Sequence, residues 1–215
     1  MRLRYWLVGA VKLLGMVVGA SAFYCLVMWL QMDDGELTFL LIGLPLYFIL
    51  FGAFMMLGLT VSLYKSMVNM ALSFGSTRRE VLAGLQLYRL LPSLAVTALA
   101  ALLTVIPGAE HMFSPGETIS ICLGVFLLCS AYGSVLGMVN YRFGKVGAIV
   151  SGIGIAAVAI GAGVVFALTA DDARWLNLLL DSGALTWVFL AVCSAIYLLV
   201  LLPEHRIIRS YQVRQ

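Results

Sequence analysis

The sequence predicts an all-α polytopic membrane protein of about six transmembrane helices, both termini cytoplasmic. Three observations predict it. The chain has 215 residues, 63% of them hydrophobic and only 11% charged. A soluble domain carries roughly 25% charged residues, so the solvent for this surface is a bilayer. The apolar runs are about 20 residues long, the length of helical spans; barrel strands alternate over about 10. The charges are also segregated. If the spans alternate, 12 of the 13 Lys and Arg fall at or near one side, and Arg174 stands alone on the other. Eight of the 10 acids fall opposite; Glu80 and Glu204 share the basic side. Positive residues fix orientation, so the basic side is the cytoplasm. Residues 1–215 read as one transmembrane domain.

The elements follow in order. Met1–Lys12 mixes Arg2, Arg4 and Lys12 with apolar residues and reads as an amphipathic lead-in at the headgroups. Lys12 reads equally well as a snorkelling residue in a longer helix. The predicted spans are 13–30, 37–64, 81–106, 118–139, 146–170 and 184–202. Pro45 interrupts the second, where it removes a backbone donor. Pro203 opens a basic tail. Trp29, Trp175 and Trp187 fall near the outer interface and Trp6 near the inner one, as an aromatic belt. Gly15 with Gly19, and Gly133 with Gly137, mark close helix approach. The plainest use of these glycines is packing inside one bundle.

Several function classes find no residues. Cys25, Cys122, Cys129 and Cys193 all lie in apolar runs, with no disulfide framework and no Cys-x-x-Cys pair. His111 and His205 fall on opposite sides and share no metal site. Neither a nucleophilic triad nor a Walker phosphate loop is present, so no catalytic site, metal or cofactor is expected in this chain. Basic residues are too dispersed for a nucleic-acid surface. No acid falls mid-span, which argues against an ion-coupled carrier but not against apolar walls for an amphipathic cargo.

One polar block remains, within the basic connection 65–80. Residues 65–74 read as a helix, with Met67, Met70, Ala71 and Phe74 on one side. Gly75 follows as its stop, because glycine takes the left-handed cap conformation without strain. Thr77 and Glu80 have capping-box spacing for a new helix. Arg78 and Arg79 then sit in its first turn, where the helix dipole disfavours cations. An acidic partner or phosphate headgroups offset that cost. Gly75, Ser76, Thr77, Arg78, Arg79 and Glu80 are the candidate docking residues.

The run Met70 to Val81, followed by Gly84, resembles the cytoplasmic segment between spans two and three of ABC transporter permeases. The six-span layout and the lead-in are similar too. The resemblance implies a permease subunit of a bacterial ABC exporter in the cytoplasmic membrane. Its coupling helix docks on a separate ATPase subunit, which binds the ATP. It also implies a second permease copy or homologue as dimer partner. Segment 175–180 then corresponds to an outer re-entrant helix, though it is short for one. The large outer domain of cell-division and macrolide-type permeases is missing. A non-transporting membrane anchor or regulatory subunit, docking a partner through the same basic segment, is the alternative.

Overall fold

The computed structural model describes residues 2–30, 37–64, 67–73, 75–106, 114–147, 149–150, 152–154, 156 and 184–210. Named in chain order, the helices are α1 (Arg2–Leu30), α2 (Leu37–Leu63), α3 (Met67–Ser73), α4 (Arg78–Leu103), α5 (Pro115–Phe143) and α6 (Ala184–Ser210). All but α3 are long and apolar enough to cross a membrane, and the described residues contain no strand. The chain is a multi-pass helical membrane protein. Of the predicted fifth span, 146–170, residues 146–147, 149–150, 152–154 and 156 are described and helical; the rest of it and the outer segment 171–183, with Trp175, lie outside the described residues.

At the start of the chain the longer-helix reading of Lys12 holds, and at its end the helix runs past the predicted bound. The lead-in is continuous with the first span, and Lys12 is exposed on α1. A long apolar stem lets a lysine sit on a spanning helix with its ammonium at the interface, so no break is needed there. Trp6 is not a belt residue: it is 2% exposed and covers Gly84. At the other end, Pro203 does not stop the helix, which runs through it to Ser210.

α5 lies centrally, against α2, α4 and α6, while α1 packs on α2 and α4. One apolar cluster joins Trp6, Leu13 and Val17 of α1 to Met56 of α2, Leu85 of α4 and Phe126 of α5. Close backbone approach explains two glycines. A Cβ on Gly84 would lie 2.4 Å from the Trp6 ring, and one on Gly137 would lie 2.5 Å from the Tyr64 ring. Gly133 likewise faces Thr60, so the Gly133–Gly137 pair is the α2/α5 seam. Gly15 and Gly19 are exposed on α1, with open space beside them.

The contacts fix direction. Tyr5 near the start of α1 bonds the Met70 sulfur at 3.4 Å, and Arg78 at the start of α4 bonds the Arg209 carbonyl near the end of α6. The start of the first described helix and the end of the last therefore lie at the same end of the bundle, that of α3. α5 runs parallel to α6, because Gly124 faces Phe189 and Ala131 packs with Tyr197. Gly144 is thus at the corner end and Ala184 at the far end.

Candidate functional site

The corner between α2 and α4 has the predicted construction. Gly75 has φ of 75°. Its amide donates to the Leu72 carbonyl and the Ser76 amide donates to the Ala71 carbonyl, each at 3.0 Å. These paired bonds are a Schellman stop, which satisfies carbonyls left over at the end of α3. Thr77 then caps α4. Its hydroxyl accepts from the Glu80 amide at 3.3 Å, and its own amide donates to Glu80 Oε2 at 2.7 Å. Four residues, 74–77, separate α3 from α4, and the three described ones, Gly75, Ser76 and Thr77, are held by hydrogen bonds or cap geometry. Lys65 and Phe74 lie outside the described residues.

The corner is anchored from below. Val68 and Ala71 of α3 and Val81 of α4 join the main apolar cluster, together with Ile208 of α6. Gly75, Thr77, Arg78 and Arg79 are exposed above it, and Ser76 and Glu80 are partly covered. The six candidate residues are therefore contiguous, but their roles differ. Thr77 and Glu80 build the cap. Arg78 Nη1 donates to the Arg209 carbonyl. That bond offsets the dipole cost of a cation at the start of α4, because it supplies a donor to the carbonyl end of α6.

Behind the corner lies a group the sequence reading did not find. Arg89 of α4 and Glu204 of α6 are 1% and 0% exposed. They pair through both guanidinium amines: Nη2 to Oε1 at 2.9 Å and Nη1 to Oε2 at 3.0 Å. The Tyr64 hydroxyl, just past the end of α2, donates to Glu204 Oε1 at 2.6 Å. Gln86 Nε2 donates to Oε2 at 3.3 Å, and the Tyr197 hydroxyl donates to Gln86 Oε1. Arg89 Nη2 also donates to the Tyr64 oxygen at 3.3 Å, while Arg89 Nε is buried without a partner. The sequence reading put Glu204 in a basic tail beyond the last span. Glu204 is inside α6 because that helix continues past Pro203.

A carboxylate accepting from four donors has its charge balanced and its lone pairs used. Such a group is a structural tie, not an idle proton carrier. The tie joins three helices. It fastens α6 to α4 about 16 Å along α4 from Arg78, at ~1.5 Å per residue. An open cavity of about 440 Å³ lies between the same two helices, beside Gln86 and Glu204.

No metal cluster of three His, Cys, Asp or Glu side chains occurs among the described residues, and His111 lies outside them. No family model, no curated protein and no solved structure matches this chain.

Proposed function

We propose that this chain is the permease subunit of a bacterial ABC exporter, which takes force from a separate cytoplasmic ATPase through the corner at 67–80. The observation that carries the reading is the corner itself. It couples a Schellman stop to a capping box, holds an apolar face against the bundle and presents Arg79 to solvent. A floppy loop would dissipate a push. A hydrogen-bonded corner seated on the core passes it to α2 and α4 as a rigid displacement. That the first described helix starts and the last one ends at this end of the bundle agrees with cytoplasmic termini, because basic residues gather there.

On this reading the ATPase closes on ATP and tilts α2, α4 and α6 together, since the Arg89–Glu204 tie makes α6 follow α4. The chain works as a dimer with a second copy or a related permease, in the bacterial cytoplasmic membrane. Its cargo is amphipathic, in keeping with a described interior whose buried charges are those of the tie.

The test is purification of the tagged chain from its native membranes, followed by identification of co-purifying proteins. The reading expects a Walker-type ATPase. Arg79→Glu should remove it while the membrane subunit stays monodisperse. Arg78→Glu is a poorer probe, because it also severs the Arg209 contact. Co-purification of a partner without nucleotide-binding motifs, lost in the same variant, would instead establish an anchor or regulatory subunit.

A further inference from the structure

The cavity between α4 and α6 does not end at Gln86. A second depression, of about 670 Å³, begins at the same Ala83 and Gln86 and runs along α4 to Ala95. Together they form one trough. Its floor residues recur every three or four positions, as one face of a helix does: Ala83, Leu87, Leu90 and Leu94. From Ala83 to Ala95 is about 18 Å at ~1.5 Å per residue, close to the ~15 Å half-thickness of a hydrocarbon core. The trough is therefore about as long as one leaflet is deep.

Its two ends differ chemically. Toward Ala95 it is apolar throughout. At the corner end it is bordered by Gln86, Glu204, His205 and Arg206. Glu204 contributes no net charge there, because Arg89 neutralises it in a buried two-point pair. Arg206 is exposed at the rim and sets the sign, which is positive. A long apolar slot with a cationic mouth at the headgroup end complements an amphiphile with an anionic head. Basic pockets between spanning helices hold such headgroups.

We propose that this trough, which opens between α4 and α6 and continues along α4, binds an anionic phospholipid of the surrounding leaflet. Its phosphate lies at Arg206 and an acyl chain runs along Ala83, Leu87, Leu90 and Leu94. The lipid lies beside the Gln86–Tyr197 and Arg89–Glu204 links that cross from α4 to α6. The site stands apart from the exporter reading and holds for an anchor subunit equally.

Native mass spectrometry of the delipidated full chain tests it, with phosphatidylglycerol and phosphatidylcholine of identical chains added back. One phosphatidylglycerol should be retained about fivefold better than phosphatidylcholine, the preference expected from one interfacial cation. Arg206→Glu should abolish that preference. Arg142→Glu, the same charge change on exposed α5 surface, should keep it. Ala83→Trp should weaken retention of both lipids, since Ala83 is exposed within the trough and a ring there blocks the chain. Equal retention of the two lipids in the wild type, or equal loss in both arginine variants, overturns the proposal. So does a dimer that Ala83→Trp abolishes, because the trough would then be occupied by a second copy.

Discussion

Two seams in this bundle are built on opposite principles. The α2/α5 seam is close and glycine-lined: Gly133 meets Thr60 and Gly137 meets the Tyr64 ring. The α4/α6 seam is open and bridged: a cavity of about 440 Å³ separates helices tied by Arg89–Glu204, Gln86–Tyr197 and Arg78 to the Arg209 carbonyl. Close packing has many weak contacts and no single point of failure. A bridge has few strong contacts, each of which can be broken and remade. On the exporter reading, the close seam stays assembled while the bridged seam changes. The corner sits at the bridged seam.

Breaking the bridge at its centre should have the largest effect. Glu204→Ala leaves the Arg89 guanidinium buried without its counter-charge, and thermal unfolding in detergent should show a loss of about 3–5 kcal/mol. A paired replacement, Arg89→Met with Glu204→Leu, should recover most of that stability, because no charge is stranded. If the double variant is as damaged as the single one, a stranded charge is not the cause of the loss.

Overpacking the tight seam comes next. Gly137→Val places methyl groups where the Tyr64 ring lies and should cost about 1–3 kcal/mol. Gly15→Val, on the open face of α1, should be near neutral by the same assay and serves as the matched control. Equal damage at both positions would show that helix propensity, not the seam, is being read.

The corner should respond more mildly in stability. Thr77→Ala removes the cap acceptor and should cost about 1 kcal/mol, with Thr77→Asp restoring it. Arg78→Gln should cost least, about 0.5–1 kcal/mol, seen as faster amide exchange in the last turn of α6.

The corner was legible in the sequence because its code is local. Gly75, Thr77 and Glu80 specify a stop and a start within six residues, and the bonds formed are between neighbours. The second capping box, Ser114 with Glu117 and Pro115 at the first helical turn, carries the same signature. It could have been read the same way. The spans were legible from hydropathy, but their ends were not. Lys12 left two readings open, of which the snorkelling one in a longer helix holds, and Pro203 looks like punctuation, yet the helix passes through it.

The Arg89–Glu204 tie was not read because its partners are 115 residues apart. A signal was present all the same. Arg89 is a lone cation within an apolar run and needs a counter-charge. Of the two acids on its side, Glu80 is taken by the cap, which leaves Glu204.

The measurement that bears most directly on the two-seam account is a pair of electron-spin distance distributions on the full chain. The four native cysteines would be replaced by alanine. One label pair spans the bridged seam, at Arg79 and Leu198; the other spans the packed seam, at Phe54 and Arg142. All four positions are exposed. The account predicts narrow distributions for both pairs in the wild-type background. Glu204→Gln should then broaden the Arg79–Leu198 distribution and leave the Phe54–Arg142 distribution unchanged. An Arg79–Leu198 distribution that stays narrow in Glu204→Gln would contradict it, because α6 would then be held by packing and not by its side-chain ties.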